Sequence, residues 1–448
     1  KQAFVYKGRV KKNSTESFDA LIENSYGTQL SPMEQQINAF GGRQGQIDKS
    51  LKPGDTGYAS RKMWHATQGV KIVSDDCGAT SGMKVSKKAL VALTRTPDID
   101  GAEADALIQA EVKEMFIHAI VGRYRVGGNK VITETEAEQW ANDADIDTIE
   151  IRSPLKCRNM CCKKCYGIDP SSHRLPPEGT LVGVIGAQAI GEPQNQIVLK
   201  TFQSGGVVGS GVFTSAFDKV KAYTAVADLK AAQKRGAYAG YDPLAWGTGD
   251  VVEKPTSDLN SKRVTIDGCP GNIIIPKDVV LKKHVEKGEG IAFKHGDYCL
   301  REIINILGIE EAQRYLVFKL FNLYKSEVKI MLVHFEILTA CMTRYMILST
   351  DRDDLMIGQY CTAGDLYSGS VANTEFRPTL ISIDELPQCS LDAMDGIIME
   401  NQSRGLSRAC LLGLFDRLEK PLNRMVLGMS IKGGSYYPDY IDERKEPI

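Results

Sequence analysis

The chain has 448 residues, of which 42% are hydrophobic and 25% are charged, so it can bury sizeable cores and we expect about two to four domains. This composition excludes an intrinsically disordered chain. The formal net charge of −1 excludes the overall basic character of many nucleic-acid-binding proteins, so any contact with DNA or RNA must come from local patches.

The chain contains eleven cysteines and has no signal-like N terminus. This combination indicates thiols and a metal site in a reducing compartment rather than a disulfide framework. The most apolar window, residues 329–348, contains His334, Glu336 and Arg344. It therefore predicts a buried helix rather than a membrane span.

The first predicted helix begins at Ser31, an N-cap residue that is followed by Pro32 at the first helical position. Residues 33–68 continue the helical pattern, but they include several glycines and an internal Pro53, which lower helix stability. Two structures fit this pattern: one long helix that bends, or two shorter helices with a turn at Pro53-Gly54.

The stretch FGGRQGQIDKSLKPGDTGYASRKM resembles the bridge helix of the β′ (largest) subunit of multisubunit RNA polymerases, written HGARKGLxDTAxKTAxSGYLTRRL. Its outright matches include Arg43, Gly45, Asp48, Lys52, Gly57, Tyr58 and Arg61. In that family the helix spans the cleft beside the active centre and contacts the template base. The resemblance implies a nucleic-acid-binding set of Arg43, Gln44, Pro53, Gly54, Tyr58, Arg61 and Lys62.

Three of those residues, Arg43, Arg61 and Lys62, would position the nucleic-acid backbone without reading sequence. The alternative is that they are solvated charges on a helix. The chain departs from the family where Pro53 and Gly54 replace the usual Thr-Ala and where Gln44 replaces a Lys.

A cysteine cluster predicts a tetrahedral zinc site, because SDDCGAT is followed about 80 residues later by LKCRNMCCKKCYG. The predicted ligands are Cys77, Cys157, Cys162 and Cys165. Cys161 could replace Cys162 only by widening the final C-x-x-C knuckle. The alternatives to zinc are buried thiols or a vestigial site. A closed thiolate shell leaves no open position for catalysis, so the expected role is structural. The RNA polymerase family has a β′ zinc site of this kind.

Between these cysteines, residues 83–148 predict a small surface subdomain without chemistry, with an acidic helix and a hairpin-like segment. His118 lies on an apolar helix face and is expected in the core rather than as a ligand.

Residues 182–208 begin with small apolar residues, cross Gly191-Glu192-Pro193 and end at Gly205-Gly206. Glycines near both ends predict a segment that can change between ordered and disordered states. Pro193 predicts a helix that begins near this residue. Gln196, Lys200 and Gln203 then lie on one face that could grip a polyphosphate. The alternative is an ordinary amphipathic helix that stops at glycine.

The stretch GEPQNQIVLKTFQSGGV resembles the trigger loop of the same RNA polymerase subunit, written GEPGTQLTMRTFHTGG. In that family the loop folds into two helices over the incoming nucleoside triphosphate. The resemblance implies that Leu199 packs on the base, Lys200 lies near the phosphates and Gln203 approaches the β-phosphate, with Gln196 on the same helix face. Gln203 replaces a histidine and cannot deliver a proton, so it would act by positioning.

The rest of the chain predicts a second helical run at residues 214–227, a small β-barrel or sandwich at 245–300 and helices from residue 300 onward. Further resemblance to the β′ subunit extends from about residue 31 to about residue 435. We therefore predict an α+β multidomain fold with segments 1–30, 31–68, 69–175, 176–228, 229–300 and 301–448.

The family holds its catalytic magnesium with three carboxylates in NADFDGD, and this string does not occur in the chain. The nearest carboxylate cluster, Asp351, Asp353 and Asp354, is expected in a solvated loop. Nucleotidyl transfer needs such carboxylates, so we expect the chain to be inert alone. A partner β′ N-terminal chain would hold the magnesium, and a β-type chain would complete the cleft.

The resemblance thus implies the C-terminal half of a split β′ subunit of DNA-dependent RNA polymerase, most like those of giant phages. Its expected ligands are the DNA template, the RNA product and nucleoside triphosphates. We expect it in the cytoplasm, that of the bacterial host if a phage encodes it, and without a membrane. The alternative is a non-catalytic, zinc-bearing structural or nucleic-acid-binding subunit of a transcription complex.

Overall fold

A computed structural model gives the α+β fold of the chain, with helices and small antiparallel sheets. It describes residues 18–94, 102–203, 219–226, 242–255, 261–276, 281–292, 297–325, 328–348, 360–362, 376–390, 392–399 and 402–434. Asp351, Asp353 and Asp354 lie outside these ranges.

Two consecutive helices, α1 (Pro32–Ser50) and α2 (Lys52–Thr67), form the N-terminal helix pair. The predicted start is confirmed, because Ser31 caps α1 and Glu34 accepts a hydrogen bond from the Ser31 backbone N–H. Of the two structures that the sequence allowed, two helices are found, but the interruption lies at Leu51. Pro53 has no N–H and its ring clashes with the preceding turn, so the helical ladder is interrupted before it.

The region after α2 contains a two-stranded antiparallel sheet of β1 (Met83–Ser86) and β2 (Thr148–Ile151). Three helices and two short turns of helix accompany it: α3 (Lys87–Thr94), α4 (Ala102–Ile120), α5 (Glu134–Asn142), a 3-10 turn (Pro154–Lys156) and α6 (Lys163–Tyr166). The predicted hairpin is confirmed by an antiparallel bridge between Tyr124 and Val131. His118 packs against the ring of Phe321, as expected for a core residue.

Helix α7 (Val182–Gln203) corrects the prediction that a helix begins near Pro193, because Pro193 lies inside it. The glycines before Pro193 pack closely on two other helices, with Gly183 and Gly191 against Thr67 and Ser60 of α2 and Gly186 against the helix that carries His334. This tertiary packing outweighs the cost of one missing backbone hydrogen bond. After α7, the next described helical segment is residues 219–225, within the second helical run that the sequence predicts.

A four-stranded antiparallel sheet follows, with the strand order β5-β4-β3-β6. Its strands are β3 (Gly249–Pro255), β4 (Ser261–Ile266), β5 (Ile273–Pro276) and β6 (His284–Val285). The sheet has a small core of its own, formed by Ala245, Val264, Ile266, Ile275, Val285 and Ile291.

The C-terminal part contains α8 (Leu300–Leu307), α9 (Ile309–Lys325), α10 (Leu332–Thr343), α11 (Leu386–Cys389), α12 (Ala393–Met399), α13 (Gln402–Leu412) and α14 (Pro421–Val426). This part also contains a three-stranded antiparallel sheet that was not predicted from the sequence. Its strands, in the order β8-β7-β9, are β7 (Tyr345–Leu348), β8 (Tyr360–Thr362) and β9 (Phe376–Pro378). Because β7 directly follows the apolar helix α10, its apolar residues read as a continuation of that helix.

The main core gathers residues from α2, α4, α7, α9 and α10. Helix α10 lies at its centre, and Val333, Phe335, Ile337 and Met342 have no more than 1% of their surface exposed. The prediction of a buried helix here is confirmed for residues 332–343. Among the described residues, no helix has the length and apolar character needed to cross a membrane.

Candidate functional site: a cysteine cluster and a helix junction

The four predicted cysteine ligands lie together, and their Sγ atoms are all within 4.8 Å of one another. The Sγ atoms of Cys77 and Cys165 are 3.7 Å apart. Zn–S distances of about 2.3 Å would place the sulfurs of a tetrahedral site about 3.8 Å apart. The donor set and its spacing therefore fit a zinc ion, with Cys77, Cys157, Cys162 and Cys165 as ligands.

Cys161 lies outside this group, although it is also buried. Its burial raises the pKa of its thiol, which favours the protonated form. Because the Cys161 sulfur is not among the four that lie within 4.8 Å of one another, the geometry does not support the alternative that Cys161 replaces Cys162.

The cysteine cluster lies between the end of α2 and the start of α7. Backbone hydrogen bonds connect Ile72 N–H to Thr180 O (3.0 Å) and Gly179 N–H to Ile72 O (2.8 Å). A further one connects Lys163 N–H, at the cysteine knuckle, to Ser74 O (3.0 Å). The segment that carries Cys77 is thus hydrogen-bonded both to the knuckle and to the residues that lead into α7.

A buried ion pair links this region to α10. Arg123 donates two hydrogen bonds of 2.8 Å to the two carboxylate oxygens of Glu336, and the two side chains are 2% and 0% exposed. Arg123 Nη2 also donates to the carbonyl oxygens of Arg152 (2.7 Å) and Cys165 (3.1 Å). Ser153 donates to Glu336 Oε2 (2.6 Å). This network fixes the backbone of the knuckle against the central helix.

The second part of the site is the junction where α2 packs closely on α7. A Cβ atom at Gly183 would overlap the carbonyl oxygen of Thr67, and one at Gly191 would lie 2.6 Å from Ser60 Oγ. Thr67 Oγ1 donates to Gly183 O over 2.8 Å. Glycine at these positions lets the two backbones approach closely. The helices that carry the segments resembling the bridge helix and the trigger loop are therefore in direct contact.

A cavity of about 290 Å³ opens beside this junction. Its lining includes Tyr58 and Lys62 of α2, Gln194 of α7 and Asp384. Lys62 forms a 2.6 Å ion pair with Asp384, and its Nζ lies 4.2 Å from the centroid of the Tyr58 ring. Lys62 is therefore engaged within the chain.

The other residues of the predicted nucleic-acid-binding set lie along the N-terminal helix pair. Arg43, Gly54, Tyr58 and Arg61 are exposed, and Pro53 is partly buried. Gln44 belongs to α1, but its side chain lies outside the described part of the structure. The set thus offers two exposed guanidinium groups and an exposed phenol ring.

The residues predicted to act in the trigger loop all belong to α7, which ends at Gln203. The side chains of Gln196, Leu199, Lys200 and Gln203 lie outside the described part of the structure, as do residues 204–218. Their proposed contacts with a nucleotide therefore stay predictions.

Arg152 was not predicted as a functional residue. Its Nη2 donates to Asp76 Oδ1 (2.6 Å) and to Cys77 Sγ (3.2 Å). The pKa of Asp76 is lowered to about 2, chiefly by the hydrogen bond from the Gly78 backbone N–H, with Arg152 also contributing. One available signal was its position five residues before Cys157. Arg123 and Glu336 were also missed, and their pairing over 213 residues leaves no local signal.

Comparison with known proteins gives one family and several relatives. The family model described as RNA polymerase Rpb1, domain 5, matches residues 29–241. DNA-directed RNA polymerase subunit beta′ of Thermus thermophilus is 26% identical over 450 residues, which covers 96% of this chain and 28% of the relative. The subunits named beta′ of Ureaplasma urealyticum and Streptococcus agalactiae are 25% and 26% identical, with 93% and 92% of this chain covered. The chain spans 28% to 34% of the length of these three relatives.

Proposed function

We infer from these similarities that the chain corresponds to a C-terminal β′-type RNA polymerase region. We propose that it supplies the bridge helix and the trigger loop of a DNA-directed RNA polymerase. In this proposal it takes part in template-directed nucleotidyl transfer only in complex with partner chains. The observation that carries the proposal is the close packing of α2 on α7 at Gly183 and Gly191. It brings together the two segments that resemble the bridge helix and the trigger loop.

The N-terminal helix pair would lie against nucleic acid. The exposed guanidinium groups of Arg43 and Arg61 suit phosphate contacts, which position a duplex without reading its sequence. The exposed ring of Tyr58 could pack against a base. Pro53 and Gly54 lie at the start of α2, where the pair is interrupted and can adjust to its ligand.

The C-terminal end of α7 would close over the nucleoside triphosphate. Lys200 would contact the phosphates as a point charge, and Gln203 would donate a hydrogen bond without transferring a proton. Leu199 would pack on the base, and Gln196 would extend the polar face. Closure would orient the α-phosphate for attack by the RNA 3′ hydroxyl, which is a catalytic effect of positioning.

Zinc, held by the four cysteines, would have a structural role, because four thiolates complete its coordination shell. The hydrogen bonds from Ile72 to Thr180 and from Lys163 to Ser74 support a role in fixing the end of α2 to the start of α7. Zinc would thereby hold the proposed bridge-helix and trigger-loop segments in register.

The remaining parts of the polymerase would come from other chains. We propose that a β′ N-terminal chain holds the catalytic magnesium, which would activate the 3′ hydroxyl and stabilise the leaving group, and that a β-type chain completes the cleft. In this proposal the chain is part of a split β′ subunit of the giant-phage kind and acts in the cytoplasm of a bacterial host.

The double variant Lys200→Ala, Gln203→Ala tests this function in the purified multichain polymerase. We expect nucleotide addition to slow by about 100-fold or more, as for the loss of preorganised charge stabilisation, with unchanged assembly. Lys254→Ala, which removes an exposed cation from the separate four-stranded sheet, is the matched control. Unchanged elongation by the double variant, or a chain that purifies without a carboxylate-bearing partner, would favour the non-catalytic alternative.

A further inference from the structure

Arg152 is a buried cation beside the cysteine cluster, with 6% of its surface exposed. Its Nη2 lies 3.2 Å from Cys77 Sγ and 3.9 Å from Cys162 Sγ. The same nitrogen lies 2.6 Å from Asp76 Oδ1. Arg152 therefore contacts two of the four predicted ligands, which are supplied by two distant parts of the chain.

The position of Arg152 is fixed from several sides. Its backbone N–H donates to Tyr124 O over 2.7 Å, and its carbonyl oxygen accepts from the buried Arg123. Asp76 holds the guanidinium, and its own carboxylate is oriented by the Gly78 N–H (2.9 Å) and by Lys164 Nζ (3.0 Å). This is the arrangement of a preorganised hydrogen-bond donor rather than of a mobile surface cation.

A zinc ion with four thiolates has a net negative charge, and Cys162 and Cys165 are fully buried. Burying uncompensated charge is costly, so a buried centre of this kind needs a nearby cation. Hydrogen bonds to thiolate sulfurs also withdraw electron density from them, which makes the sulfurs less reactive towards protons and competing electrophiles.

We propose that Arg152 is a positioning residue of the metal centre: it balances the thiolate charge, orients Cys77 and Cys162, and slows the loss of zinc. This inference rests on the proposed zinc site. It assigns the retention of the metal to a residue outside the four ligands.

The test is the rate of zinc transfer from the full chain, in its assembly, to the chelator 4-(2-pyridylazo)resorcinol. We expect Arg152→Gln to release zinc about 10- to 100-fold faster, the usual effect of losing a partner of a metal ligand. Arg152→Lys keeps the charge but loses the planar fork, so it should give an intermediate rate. The matched control is Arg158→Gln, which removes an exposed arginine within the same cysteine segment and should leave the rate unchanged.

Cobalt(II) substitution gives a readout that a purely structural role would not move. Loss of the N–H···S bonds leaves more electron density on sulfur, so the thiolate-to-cobalt charge-transfer band of Arg152→Gln should shift to longer wavelength. If Arg152→Gln does not fold, Asp76→Asn tests the role of Arg152 instead. This variant keeps an oxygen acceptor for the Gly78 N–H but weakens the interaction that holds the Arg152 guanidinium. We expect faster zinc release from that variant as well.

The outcomes separate this inference from the zinc site itself. A wild-type chain that retains less than half an equivalent of zinc after purification overturns both. A zinc-loaded wild type whose release rate and cobalt band are matched by Arg152→Gln, or by Asp76→Asn where the first variant does not fold, overturns only the role of Arg152. Equal acceleration by Arg158→Gln would also overturn it, since the effect would then be a general loss of positive charge.

Discussion

At the scale of single residues, the buried charges and polar groups determine how this chain is held together. Glu336 accepts hydrogen bonds from Arg123 and Ser153 in the centre of the molecule. By contrast, Lys156 and Glu310 form a pair at the surface, where Glu310 is 70% exposed. Because solvent screens the second pair and not the first, the two should differ strongly in their effect on stability.

Glu336→Gln should destabilise the chain by about 3–5 kcal/mol, because it leaves the Arg123 guanidinium buried without its counter-charge. Glu310→Gln, the control, should cost no more than about 1 kcal/mol. Urea unfolding of the full chain measures both. Joint replacement, Arg123→Met with Glu336→Leu, should recover only part of the loss. It removes the stranded charge, but Ser153 and the carbonyl oxygens of Arg152 and Cys165 lose the hydrogen bonds they make in this network. Equal effects of the two single variants would contradict this account.

His334 predicts a pH dependence of stability. Desolvation lowers its pKa from 6.5 to about 4 in the folded state. Between these values the unfolded chain binds more protons than the folded chain, so stability falls as the pH drops from 6.5 towards 4, by up to about 3 kcal/mol. The free energy of unfolding across this window should be flatter for His334→Gln. An equally steep fall in stability for His334→Gln would contradict this account.

At the scale of elements, the sequence predicted what local chemistry determines. The cap of α1 at Ser31 could be predicted because neighbouring residues encode it. The grouping of the four cysteines could be predicted because three of them are closely spaced and Cys77 stands in a DDCG stretch that matches the family pattern. The continuation of α7 through Pro193 could not, because it depends on packing against α2, which lies more than a hundred residues earlier. The strand β7 was missed because its apolar residues continue the pattern of α10, whereas its pairing depends on β8 and β9, which lie further along the chain.

The junction of α2 and α7 gives a prediction in which one glycine of α7 is the control for another. Gly183→Ala should destabilise the chain by about 1–3 kcal/mol, because the new methyl group overlaps the carbonyl oxygen of Thr67. At Gly186 the nearest atom of His334 would lie 3.6 Å from a Cβ, an ordinary contact. Gly186→Ala should therefore be neutral or stabilising by up to about 1 kcal/mol. Thermal unfolding of the two variants compares them directly. If Gly186→Ala were less stable than Gly183→Ala, the packing described here would be contradicted.

At the scale of the whole molecule, two hydrophobic cores separate the chain into regions that should respond differently to the loss of metal. The main core connects α2, α7 and α10, and the cysteine cluster lies at its edge next to Tyr166. The four-stranded sheet is packed around its own core. Zinc would constrain only the first of these regions, because its four ligands all lie between residues 77 and 165.

Removal of zinc should therefore loosen one region of the chain and spare the other. We expect faster amide hydrogen exchange in residues 70–78 and 157–183, whose backbone hydrogen bonds connect the end of α2, the knuckle and the start of α7. The sheet formed by β3, β4, β5 and β6 should keep its protection, which makes it an internal control. Hydrogen exchange with mass spectrometry, before and after chelation, measures both regions. Equal loss of protection in the sheet would mean that the metal stabilises the chain globally, and unchanged exchange near the knuckle would mean that it does not hold the two helices together.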